Sequence, residues 1–101
     1  YLLENLVYLS LRRAGFEVYV GVLPNKEVDF VAKKASEILY VQCAYLLQDE
    51  TTLAREYQGL QTISDNYPKI VVSMDAVVLP SRDGILHVQA WNLESFLSER
   101  F

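Results

Sequence analysis

Two residues of this sequence carry side chains whose types suit a hard cation, and a third, an acid, precedes them. Asp29 offers a carboxylate in Glu27-Val28-Asp29-Phe30-Val31, and Gln42 offers an amide oxygen in Tyr40-Val41-Gln42-Cys43-Ala44. Glu4 offers a second carboxylate near the start. Oxygens of this kind suit Mg2+. Two positions beyond Gln42, on the same side of an extended chain, stands Ala44. Its methyl group neither donates a proton nor stabilises a developing negative charge.

Each of these residues also has a plainer reading. Asp29 can be a surface carboxylate on the outer face of a hairpin. Glu4 in a first helical turn can complement the helix dipole. Gln42 in an otherwise apolar run needs hydrogen-bond partners, which a structural role would supply as well as a site would. Cys43 in the same run reads as a small core hydrophobe. His87 has no Ser, Cys or second His near it in sequence and reads as a surface histidine on an edge strand. Asp75, at the carboxyl end of a buried strand, is the next candidate, because ligands of α/β sheets bind there. Its plainer reading is a solvated strand end.

The elements that must position these residues are legible from periodicity. Leu2, Leu3, Leu6, Val7, Ser10, Leu11 and Ala14 recur at helical spacing, with Glu4, Asn5, Arg12 and Arg13 on the polar face and Gly15 as the stop. Phe16, Val18, Val20 and Val22 then alternate with Glu17, Tyr19 and Gly21, the pattern of a half-buried strand. Pro24 and Asn25 turn the chain. A second strand over Lys26–Lys33 puts Val28, Phe30 and Ala32 on one face and Glu27, Asp29, Val31 and Lys33 on the other. After a polar turn around Lys34–Glu37, the run Ile38–Leu47 is apolar on both faces and predicts a central strand covered on both sides.

Asp49 can cap a second helix with the stripe Leu53, Tyr57, Leu60 and Ile63, ended by Asp65-Asn66 before Pro68. Ile70-Val71-Val72 predicts a short buried strand parallel to its neighbour, because a helix has just crossed over. Residues 76–84 read as a loop, Ile85–Gln89 as an edge strand, and Asn92 as the cap of a last helix bearing Leu93, Phe96 and Leu97. The expected fold is α/β, a mixed sheet flanked by helices in the order α-β-β-β-α-β-β-α.

Composition bounds the functional classes. The chain has 101 residues, 51% of them hydrophobic, enough for one core and one domain. One cysteine and one histidine support neither a disulfide scaffold nor a zinc fold, and fit a reducing cytoplasm. Charged residues interrupt every apolar run, so no membrane span is expected. A formal net charge of −4 argues against indiscriminate binding of nucleic acid. The basic doublets Arg12-Arg13 and Lys33-Lys34 read as solvated element ends. Seven Tyr and one Trp offer flat surfaces for stacking or for a partner, a second copy included. A start at Tyr1 inside a helical pattern suggests a piece of a longer protein, with a partner domain ahead of it.

An acid on the first helix, an Asp on the second strand, and a polar residue followed two positions later by lysine on the third form the signature of the PD-(D/E)XK nuclease-like superfamily. This chain resembles it in order and spacing through Glu4, Asp29 and Gln42. More closely, Leu2-Leu3-Glu4-Asn5-Leu6-Val7-Tyr8-Leu9, Arg12-Arg13-Ala14-Gly15-Phe16-Glu17-Val18-Tyr19-Val20-Gly21 and Lys26-Glu27-Val28-Asp29-Phe30-Val31-Ala32 are similar to a known C-terminal module. It is the nuclease-like domain of unknown function that follows an AAA-type P-loop ATPase domain in a family of bacterial and archaeal proteins. The similarity continues through Tyr40–Tyr45, Asp65–Lys69 and Ser73-Met74-Asp75 to the final helix.

The resemblance implies a restriction-endonuclease-like fold, with Asp29 and Gln42 as Mg2+ ligands and Glu4 leaning over the same site. ATP would be bound only by the preceding domain, since no Gly-x-x-x-x-Gly-Lys occurs here. Many members of that family carry Glu-x-Lys where this chain has Gln42-Cys43-Ala44, so Glu4 and Asp29 alone carry over as nuclease residues. The expectation is therefore a hydrolytically inactive domain that binds DNA or a partner. The alternatives are an active Mg2+-dependent nuclease with a relocated cation, Arg55 before Lys33 or Lys34, and a purely structural interaction domain.

Overall fold

The computed structural model describes residues 2–23 and 26–101; the expected turn at Pro24-Asn25 lies outside them. The elements are α1 (Leu2–Arg13), β1 (Glu17–Leu23), β2 (Lys26–Lys34), β3 (Glu37–Cys43), α2 (Glu50–Gln61), β4 (Lys69–Ser73), β5 (Leu86–Gln89) and α3 (Leu93–Arg100). A 3-10 turn, Ala90–Asn92, leads into α3. The order is the expected one. The five strands lie in sequence order, β1-β2-β3-β4-β5, with β1, β2 and β3 antiparallel and β3, β4 and β5 parallel.

Local chemistry sets the ends of these elements. Gly15 takes φ 95°, so Phe16 N–H reaches Leu11 O at 3.1 Å and Gly15 N–H reaches Arg12 O at 3.0 Å, closing α1 with a left-handed residue. Asp49 caps α2 as expected, accepting from Thr52 N–H at 2.8 Å. Asn92 does not cap α3. It closes the 3-10 turn and gives its amide to Gln89 Oε1 at 3.0 Å, which removes it from the helix end.

The sheet carries a core on each face. Leu3, Val7 and Leu11 of α1 and Leu93 and Leu97 of α3 cover one face, against Phe16, Phe30, Ala32, Leu39, Val41, Cys43, Ile70, Val72 and Val88. Tyr57 and Leu60 of α2 cover the other, against Val28, Tyr40, Ala44, Val71 and Ile85. The buried stripe of α1 is narrower than its periodicity, since Leu2 and Leu6 are exposed. A helix on the flank of a sheet has only one face to bury.

Two expectations about the strands are corrected. The central strand ends at Cys43, not at Leu47, because the chain leaves the sheet there on its way to α2. Val28 does not share a face with Phe30 and Ala32; it packs on the α2 side. A β-bulge causes this: Val20 pairs with Phe30 and Val22 with Glu27, so Val28 and Asp29 together oppose Gly21 alone. The bulged backbone presses on that glycine so closely that a Cβ there would sit 1.9 Å from Val28 O.

The connection from β4 to β5 has its own topology. Parallel neighbours oblige the chain to travel back along the sheet, and residues 74–85 do so without a helix. A tight turn with Asp83 at φ 53° and Gly84 at φ 78°, bridged by Arg82 and Ile85, delivers the chain to β5.

Candidate functional site

The bulge places Asp29 where β2 and β3 part. Their register ends at Phe30 with Val41, while β3 goes on to pair with β4 through Gln42–Val71 and Cys43–Val72. Beyond that point side chains stand in for the missing ladder. Asp29 N–H donates to Gln42 Oε1 at 3.0 Å, and Cys43 N–H donates to Asp29 Oδ2 at 2.8 Å. Each side chain thus accepts a backbone donor that would otherwise be left unpaired.

The remaining groups approach this rim from both layers. On the α2 side, Gln42 Nε2 donates to Glu56 Oε1 at 3.2 Å, and Arg55 Nε lies 3.6 Å from Glu56 Oε2. On the α1 side, Glu4 lines a cleft of about 390 Å³ with Leu2, Leu3, Cys43 and Tyr45. Cys43 sits between the layers; burial first, and then the carboxylates of Asp29, Glu4 and Glu56, push its thiol pKa far above the ordinary value. That thiol is no nucleophile.

The structure therefore brings Glu4, Asp29 and Gln42 to one strand end, with Ala44 just beyond. Glu4 and Gln42 reach it from opposite layers. Ala44 is buried in the α2-side core, where its methyl meets other apolar groups. Lys33 and Lys34 lie at the other end of β2, four and five residues from Asp29, about 13–17 Å at the rise of a strand. Lys34 is engaged there with Ala14 O at 2.8 Å and over the Phe16 ring. Arg55 is the expected cation that does lie against the rim.

Glu56 was not anticipated, although the sequence signals it. Leu53, Glu56, Tyr57 and Leu60 follow i, i+3, i+4, i+7, so an acid occupies a sheet-facing position of α2. Among the described residues no three His, Cys, Asp or Glu side chains gather as a metal cage. Asp29 and Gln42, as arranged, do not fit a divalent cation, which needs several oxygens turned to one point. Gln42 Oε1 is turned to Asp29 N–H, and its amide nitrogen faces Glu56.

A second polar cluster lies at the ends of β4 and β5, and it corrects the reading of His87 as a surface histidine. His87 is buried, because the 74–85 connection folds across it. Leu79 N–H donates to His87 Nδ1 at 2.9 Å, and His87 Nε2 meets Ser73 Oγ at 2.7 Å. Ser73 Oγ donates to Asp75 Oδ2 at 2.6 Å, and Leu47 N–H donates to the same carboxylate at 2.9 Å. Gln89 Nε2 holds Asp75 O and Ala76 O at 3.1 and 2.9 Å.

Ser, His and Asp in contact suggest nucleophilic catalysis, but the connectivity is wrong for it. An activated serine needs a histidine nitrogen that accepts its proton, and a carboxylate behind that histidine. Here a backbone N–H fills Nδ1, so Nε2 carries the proton and donates, while the carboxylate holds the serine. Ser73 is also fully buried. Asp75 is half-buried and held inside this network rather than standing as a solvated strand end.

The chain is 43% identical over 94 residues to an uncharacterized protein of Haemophilus influenzae, a match covering 91% of this chain and 23% of that protein. It thus spans about a quarter of that relative's length. No family model and no solved structure matches the chain. Among the described residues no helix is long and apolar enough to cross a membrane.

Proposed function

We propose that this chain is a PD-(D/E)XK nuclease-like domain, carried in the cytoplasm behind an AAA-type ATPase domain, that no longer hydrolyses DNA and serves as a binding or regulatory module. The observation that carries this reading is the rim itself: Asp29 and Gln42 are bound into the strand ladder, and Ala44 is packed into the core. The relative's greater length leaves room for a further domain in that protein. Mg2+ binds weakly or not at all, since the amide oxygen of Gln42 is turned to a backbone donor.

Of the two kinds of partner, a protein surface suits this rim better than DNA. Among the described residues Glu4, Asp29 and Glu56 gather carboxylates around Cys43, and Arg55 is paired with Glu56, a balance that does not favour phosphate. A partner domain of the same chain or a second copy meets the exposed Leu2 and Tyr45 beside Glu4. The second reading, a working nuclease with Arg55 as its relocated cation, draws on the same Arg55–Glu56 contact.

A cleavage assay decides between them. The full chain is incubated with Mg2+ or Mn2+ and with supercoiled, linear and single-stranded DNA. The expected result is no cutting above the Asp29→Ala background. Robust cutting abolished by Asp29→Ala overturns the proposal, and its further loss in Arg55→Ala would establish the second reading.

A further inference from the structure

The hydrogen bonds around His87 fix where its proton sits. With Leu79 N–H on Nδ1, that nitrogen bears a lone pair, and the ring proton is on Nε2, facing Ser73 Oγ. Ser73 Oγ–H in turn donates a hydrogen bond to Asp75 Oδ2. Every donor from Leu79 to Asp75 points the same way, so the network is complete only with a neutral imidazole.

We propose that His87 is an acid-sensitive latch on the connection between β4 and β5. A second ring proton has to enter at Nδ1, where it turns the acceptor of Leu79 N–H into a donor, and the two hydrogens then oppose each other. Leu79 leaves the ring, and the stretch around it opens between its two anchors. One anchor is Gln89, holding Asp75 O and Ala76 O. The other is the α2 side, where Arg82 pairs with Glu50 at 2.9 Å and Gln61 donates to Asp83 at 2.8 Å. Val77 and Val78 between them are exposed, and Leu79, whose side chain rests on the α2-side core, makes the backbone hydrogen bond that protonation cuts.

The charged and titratable groups around His87 come from every packed element. Asp75 reaches it through Ser73 from the end of β4. Glu99 and Arg100 of α3 share with it a cleft of about 310 Å³. The Tyr57 hydroxyl of α2 and Arg82 of the connection lie close enough to interact, Tyr57 with both Asp75 and Arg82. Of these groups Asp75 is the one that acts on the ring, favouring the imidazolium. Burial outweighs the pull of Asp75 and holds the His87 pKa below its ordinary value. The folded chain therefore binds fewer protons at this site than the unfolded chain. Its stabilising effect is complete above about pH 6.5, the unfolded value, and is lost as pH falls towards the folded one.

His87 is the single histidine of the chain, so nitrogen-labelled histidine gives an unambiguous NMR signature. At neutral pH the Nε2–H tautomer is expected, with the Leu79 amide protected from hydrogen exchange. On acidification the imidazolium signal should rise together with a loss of Leu79 protection of about tenfold or more, while amides of β3 and β4 keep theirs. His87→Gln, which cannot titrate, should hold Leu79 protection constant over the same pH range. An Nδ1–H tautomer at neutral pH, or an imidazolium with Leu79 still protected, overturns the proposal. If the variant does not fold, the wild-type titration decides alone.

Discussion

The rim at Asp29 and the network at His87 both put polar side chains at strand ends of one sheet, yet they solve different problems. At the rim, two strands part, and Asp29 and Gln42 replace backbone acceptors that the ladder can no longer provide. That arrangement is partly open, ringed by carboxylates and crossed by a cleft. At the network, two strands stay parallel and the returning chain covers them, so that His87 donates to Ser73, Ser73 to the Asp75 carboxylate and Gln89 to the Asp75 carbonyl. Openness leaves the first region able to meet a partner. Closure makes the second a structural device sensitive to one proton.

Gly21→Ala should have the largest effect, because it attacks the bulge that places Asp29 at the rim. Its Cβ meets a backbone carbonyl at 1.9 Å, so the cost should reach the upper part of the roughly 1–3 kcal/mol typical of overpacking, or exceed it. Urea denaturation measures it, and amide shifts at Asp29 and Cys43 should move with it while those near His87 stay. A neutral substitution would mean that Asp29 does not owe its position to the bulge.

Ser73→Ala comes next and acts on the other region. It leaves the buried His87 Nε2–H without its acceptor and the half-buried Asp75 without one donor, at a cost of about 1–3 kcal/mol. The same denaturation series should show rim resonances unchanged. If the rim moves too, the two regions are one cooperative unit and the contrast between them fails.

Tyr57→Phe should have the smallest effect and the opposite sign. The Tyr57 hydroxyl is buried without a hydrogen-bond partner, and burial pushes its pKa up. Removing it should leave stability unchanged or raise it by up to about 1 kcal/mol, read as a small increase in the denaturation midpoint. A loss above that would show the hydroxyl to be a working member of the His87 network.

Much of this molecule follows from the order of its residues. The periodicities of Leu3–Leu11 and Leu53–Leu60 and the apolar runs Ile38–Cys43 and Ile70–Val72 determine the helices, the two buried strands and the two-sided core, because only those faces can be removed from water together. Gly15 and Asp49 determine where two helices end or begin, because their local chemistry needs no distant partner.

Tertiary structure decided the rest. Val28 changes face because a bulge adds a residue to one strand only, and a bulge is a property of a pair of strands. Glu56 joins Gln42, and His87 is buried by the connection that carries Leu79, eight residues earlier, because both contacts arise from which surface each crossover covers. A sequence specifies alternation within a strand; it does not display which neighbour a polar atom will face, and that neighbour decides whether the atom binds, titrates or holds the fold together.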